Sequence, residues 1–123
     1  MRHYQTFPIP LHIIEDIQND NLESFSTEIL SKGLLDGLLS KTMMDFRENL
    51  IDNSIKIILL EVDASDGDGC VEVDYMGSVY MGCRDQDYNS ERNDTVDILV
   101  DFDEKQATFS MEIPEERNTH EEF

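Results

Sequence analysis

The chain has 123 residues, 28 of them acidic against 9 basic, for a formal net charge of −19. Small soluble domains carry a magnitude of about 2–8, so solubility alone does not require this charge, and its self-repulsion works against the compact state. The length predicts one domain over 1–123, and 39% apolar residues predict a modest core rather than wholesale disorder.

Three conditions would reward such a charge: a basic protein partner, bound cations or life in high salt. Eleven Ile, seven Asn and six Met argue against salt adaptation. Direct contact with DNA, RNA or an anionic membrane needs clustered Lys and Arg, and the basic residues here are scattered singly. No apolar stretch approaches the roughly 18 residues of a membrane span. The N-terminal segment MRHYQTFPIPLHIIEDIQ has no sustained apolar run of signal-peptide type. Two cysteines are too few for a secreted disulfide scaffold, and the expected location is cytoplasmic.

In chain order, Pro8 and Pro10 limit the start, and LHIIEDI places Leu11, Ile14 and Ile17 at helical spacing. QNDN at 18–21 interrupts, with Asn21 expected to cap a second helix carrying Leu22, Phe25, Ile29 and Leu30 and ending at Gly33. From Leu34 to about Ile51, the residues Leu35, Leu38, Leu39, Met43, Phe46 and Leu50 make a third helical stripe. The pattern then switches to period two. IKIILLEV (55–62) is apolar at nearly every position, as in a central strand covered on both faces. Val71, Val73 and Tyr75 alternate with Glu72 and Asp74; Val79, Met81 and Cys83 continue the pattern. Val96, Ile98, Val100 and Phe102 alternate with Asp97, Leu99 and Asp101, and Phe109, Met111 and Ile113 with Thr108, Ser110 and Glu112.

Turns are expected at 65–69, 76–78, 85–93 and 103–106. The predicted fold is α+β: two to three N-terminal helices (helical part 10–53) packed on one face of a five-stranded, mainly antiparallel meander sheet (55–113). An acidic tail over 114–123 follows.

The charge belongs to the sheet half, because residues 57–104 hold 14 acids and only Arg84 and Arg92 as bases. With the apolar positions facing the helices, Glu72, Asp74, Asp97, Asp101 and Glu112 project from the opposite face. Asp85, Asp87, Glu91, Asp94, Asp103 and Glu104 join them from loops. Same-face neighbours lie about 6.6–6.8 Å apart along a strand and about 4.7–4.9 Å apart across strands. Such an array imitates a polyphosphate and competes for a basic groove. Solvated faces are also commonly polar, which is the plainer account of any single member.

The stretch DASDGDGCVEVDY (63–75) sounds like a calcium loop of the EF-hand type. Setting the template glycine on Gly69 puts Ala64 and Tyr75 where the first and last carboxylates belong, and the flanks read as strands. The EF-hand reading fails, and Asp63, Asp66 and Asp68 remain weak candidates for a looser cation site. A three-residue connection at 76–78 would pair Val71 with Cys83 and set Cys70 opposite Arg84, leaving two free thiols.

His3, His12 and His120 lie toward the chain's ends, and no phosphate-binding glycine loop is present. Core packing accounts for most of the methionines, and Met76, in the expected turn between Tyr75 and Gly77, is the one placed to offer an adaptable contact. No cofactor is expected. The sequence predicts a non-catalytic binding protein that occupies a basic surface of a nucleic-acid-binding or nuclease protein. Such a protein is either a nucleic-acid mimic of the phage anti-defence kind or an immunity protein or antitoxin. The alternatives are a small acidic chaperone of a secreted effector and a cation-binding domain using the 63–74 loop.

Overall fold

The computed structural model describes residues 1–43, 48–51, 53–81 and 86–113. It is a mixed helix and strand fold: β1 (Arg2–Pro8), α1 (Leu11–Gln18), α2 (Glu23–Ser31), α3 (Asp36–Ser40), β2 (Glu48–Leu50), β3 (Lys56–Val62), β4 (Asp68–Met81), β5 (Gln86–Asp101) and β6 (Gln106–Glu112). The strands form one antiparallel sheet in the order β1-β6-β5-β4-β2, with β3 also paired to β4.

The helix ends follow local chemistry. At the end of α1, Asn21 N–H reaches Asp16 O and Asp20 N–H reaches Ile17 O, with Asp20 at φ 65°. At the end of α2, Leu34 N–H reaches Ile29 O and Gly33 N–H reaches Leu30 O, with Gly33 at φ 62°. Both are Schellman closures, which need a left-handed residue just past the helix. The expected stop signals in QNDN and at Gly33 therefore act where the sequence places them. Asn21 lies one residue before the cap position of α2, and its side chain accepts the Glu23 N–H at 3.1 Å.

One buried cluster joins the helices to the strands. Ile13, Ile14, Ile17, Phe25, Ile29, Leu35, Leu38 and Leu39 meet the alternating set Val71, Val73, Tyr75, Val96, Ile98, Val100, Ala107, Phe109 and Met111. Phe109 sits at its centre, its ring 6.3 Å from that of Phe25 and 6.1 Å from that of Phe7. Each buried side chain of this size contributes about 1.5–3 kcal/mol. Leu11 and Leu30, expected on the buried stripes, are exposed instead.

Five expectations need correction. The helices do not begin the chain, because Arg2–Pro8 is an edge strand paired with β6. Its inward residues His3, Gln5 and Phe7 are too polar to announce a strand, and Pro8 is tolerated at a sheet edge. The stripe over 34–51 is not one helix: α3 stops at Ser40, and Glu48–Leu50 pairs with β4. Its residue Phe46 lies outside the described residues.

The run at 55–62 is not a central strand, since among the described residues β3 pairs only with β4. A register shift between Ile57 and Leu59 accommodates its odd spacing by a β-bulge. The expected turn at 76–78 is strand: Met76–Val79 is flanked by β2 on one side and β5 on the other, and two ladders override weak turn chemistry. The segment 86–93, expected as loop, is the polar start of β5. Consequently Val71 faces Val96 rather than Cys83, and Cys70 lies between Asp97 and Glu61 rather than opposite Arg84. Cys83, Arg84 and the 114–123 tail lie outside the described residues.

The glycines of DGDG have a steric cause. Gly67 takes φ 80°, and a Cβ there would stand 2.1 Å from Val100 O. A Cβ on Gly69 would stand 2.0 Å from Glu61 O. No side chain fits either place without moving backbone. At this loop the backbone packs tightly against β5 at Val100 and against β3 at Glu61.

Candidate protein-interaction face

Strand alternation divides the sheet into a buried side and an outer side, and the register sets the outer residues in rows. Tyr4, Ser110, Asp97, Cys70 and Glu61 form one row across β1, β6, β5, β4 and β3. Thr6, Thr108, Leu99 and Asp68 form the next. On the other flank come Thr95, Glu72 and Leu59, then Asn93, Asp74 and Lys56. Four of the five carboxylates expected on this face from alternation (Asp74, Asp97, Asp101 and Glu112) are exposed, and Glu72 is half-buried. Leu99 at 54% and Tyr4 at 64% exposure stand among them as apolar side chains in a charged surround.

The acids are not all unopposed. Arg2 pairs with Asp97, and the N-terminal ammonium pairs with Glu112 at 2.8 Å. That contact holds the Glu112 carboxyl below the usual glutamate range. The Asn93 amide donates to both Glu72 Oε2 (3.0 Å) and Asp74 Oδ1 (2.7 Å), tying together two like charges. Two charges about 4 Å apart in water interact by about 1 kcal/mol, so the face is tolerable on a well-packed sheet.

Cys70 reads the local field. Its thiol is half-buried, and desolvation raises its pKa, followed by the charges of Glu61, Asp97, Asp68 and Glu72. A thiol held protonated in this way is a poor nucleophile. Four carboxylates thus converge on the β3–β4–β5 portion of the face. Strand alternation alone does not place Glu61 and Asp68 there. An apolar run that reads as covered on both sides gives its one charge, Glu61, no face.

The loop residues distribute differently. Asp94 lies in β5 on the buried side, half-buried, where it accepts a short hydrogen bond from the Tyr75 hydroxyl. Tyr75 also meets Thr42 Oγ1 at 2.9 Å. Burial and the Asp94 contact push the Tyr75 phenol up to about 12. Asp94 is therefore part of the polar support inside the fold, not of the outer face. Glu91, Asp103 and Glu104 are exposed. Asp101 Oδ1 accepts the N–H groups of Asp103 and Glu104, each at 3.0 Å, and shapes the β5–β6 turn. Asp87 lies in β5 opposite Tyr80, and Asp85 is outside the described residues.

In the 63–68 loop the carboxylates serve the turn. Asp63 Oδ1 accepts from the Ser65 hydroxyl, Ser65 N–H (2.7 Å) and Asp66 N–H (3.3 Å), and Asp66 Oδ1 accepts Asp68 N–H at 2.9 Å. The Ser65 hydroxyl bond is the main cause of a lowered Asp63 pKa. Among the described residues, no group of three or more His, Cys, Asp or Glu is arranged to hold a metal ion. No helix among them is long and apolar enough to cross a membrane. Comparison with models of known protein families, with curated proteins and with solved structures gives no match for this chain.

Proposed function

We propose that this protein is a non-catalytic binding protein whose outer sheet face occupies a basic surface of a protein partner, in the manner of a nucleic-acid mimic or of an immunity protein for a nuclease. The observation that carries the reading is the convergence of Glu61, Asp68, Glu72 and Asp97 around Cys70, with Asp74 and Asp101 nearby. Nearest neighbours among these positions lie one same-face step or one diagonal apart, about 7–8 Å, comparable with the Debye length of about 8 Å in physiological salt. Their fields therefore add, attract a cationic partner and speed its association. Tyr4 and Leu99 supply the apolar contact that fixed charges alone lack. A cytoplasmic location belongs to the proposal and accords with the free thiol of Cys70.

The test is capture from the native host at graded salt, with and without competing DNA or RNA. A basic nucleic-acid-binding protein that is retained at low salt, then released by salt or by the competing nucleic acid, supports the reading. Capture indifferent to both overturns it. That outcome favours a chaperone of a secreted effector, which would hold its client by the exposed apolar residues Tyr4, Ile58, Leu59 and Leu99.

A further inference from the structure

Strand β3 borders β4 on one side, and among the described residues no strand lies on its other side. Edges of this kind expose a row of backbone donors and acceptors, and proteins ordinarily guard them with charge, proline or cover. The opposite edge strand, β1, carries Arg2 and Pro8, and α3 lies beside it. Strand β3 has Lys56 and Glu61 only near its ends; between them run Ile57, Ile58, Leu59 and Leu60, with Ile58 53% and Leu59 45% exposed. The bulge at Ile58 sets Lys56, Leu59 and Glu61 on the outer side despite their odd spacing, because they face Asp74, Glu72 and Cys70 of β4.

We infer that the free edge of β3 takes up an extended basic segment of the partner as an added strand. Backbone pairing supplies the attachment in such strand addition, and alternate side chains supply the selectivity. A segment alternating cationic and apolar residues suits this edge. Its outer-side cations would lie beside Glu61 and within reach of Glu72 and Asp63, their methylene stems against the exposed Leu59, and its inward apolar residues would lie beside Ile57 and Leu60, which face Val73 and Val71. A second copy of this chain is the other candidate, but each copy brings a net charge of −19 to the same edge. The inference rests on the acidic-face reading and adds to it where and in what conformation the partner sits.

The probe is a fluorescent seven-residue peptide of alternating Lys and Val, compared with the same peptide N-methylated at alternate amides, which keeps charge but cannot pair as a strand. Binding is read by anisotropy, and its position by amide hydrogen exchange. The expected result is that the unmethylated peptide binds at least tenfold more tightly, slows exchange within 56–62 and is weakened at least tenfold by Leu59→Lys. Equal binding of the two peptides, with changes centred on Glu72 and Asp97, overturns the edge inference and leaves the acidic face standing. Unchanged exchange over 56–62 with the unmethylated peptide overturns it as well, as does a concentration-dependent doubling of mass that protects 56–62 without peptide. If Glu72→Gln and Asp97→Asn together leave peptide binding unaltered and insensitive to salt, the acidic-face reading itself has failed.

Discussion

The two sides of β4 and β5 are made from alternate residues of the same strands, yet they answer to different physics. On the buried side, Val71, Val73, Val96, Ile98 and Val100 are nearly inaccessible, and the polar pair Tyr75–Asp94 is held by direct hydrogen bonds. On the outer side, Glu72, Asp74 and Asp97 repel one another and are only partly answered by Asn93 and Arg2. The buried side supplies the stability that the outer side draws down. Changes on the first side should alter whether the protein folds, and changes on the second what it binds.

Replacing Phe109 by Ala should break this division at its strong end. It removes a ring at 0% exposure that packs on Phe7 and Phe25, and should cost about 3–5 kcal/mol by denaturant unfolding. Gly67→Ala comes next. Its backbone sits at φ 80° and its new Cβ meets Val100 O, so strain alone should cost about 1–3 kcal/mol. If this variant is as stable as wild type, the loop is not the tight junction described above.

Tyr75 gives a pH signature. Its folded pKa is raised to about 12, above the ordinary value near 10. The protonated phenol is therefore the form that stabilises, fully below about pH 10, and that contribution should be lost as pH rises from about 10 through 12. The loss should be on the order of 2 kcal/mol, at about 1.4 kcal/mol per pKa unit. Tyr75→Phe should start about 1–3 kcal/mol less stable, because Asp94 loses a donor, and should show a smaller decline above pH 10. Equal alkaline slopes for the two proteins would contradict the assignment.

The outer side should respond least in stability. Glu72→Gln should change unfolding free energy by no more than about 0.5 kcal/mol. The wild-type melting temperature should rise from low to moderate salt as repulsion is screened. A fall on adding salt would mean that ion pairs such as Arg2–Asp97 outweigh the repulsion.

Much of this division is legible in the sequence because it is a period-two pattern. CVEVDY and TVDILVDF assign their faces from one residue to the next, and the fold follows them. What sequence reading loses is pairing. Nothing local in IKIILLEV distinguishes a buried centre from a bulged edge, since both are apolar; the difference lies in what stands beside the strand. Met76–Ser78 carries a turn residue, Gly77, yet becomes strand because β2 and β5 flank it. Arg2–Pro8 is a strand through its pairing with β6, not through its own pattern. The outer face depends on the same pairing: Glu61 belongs to it only because β3 is an edge, and Asp94 leaves it because 86–93 is strand and turns that side chain inward.

On this division the outer carboxylates bind while the buried side only folds. The most direct measurement combines Glu61→Gln, Glu72→Gln, Asp74→Asn and Asp97→Asn in one chain, checks that its melting temperature is not lower than wild type, and repeats the salt-graded capture. This folded variant should lose the basic nucleic-acid-binding protein that wild type retains at low salt. Retention of that protein by the variant, with unchanged salt dependence, would contradict it.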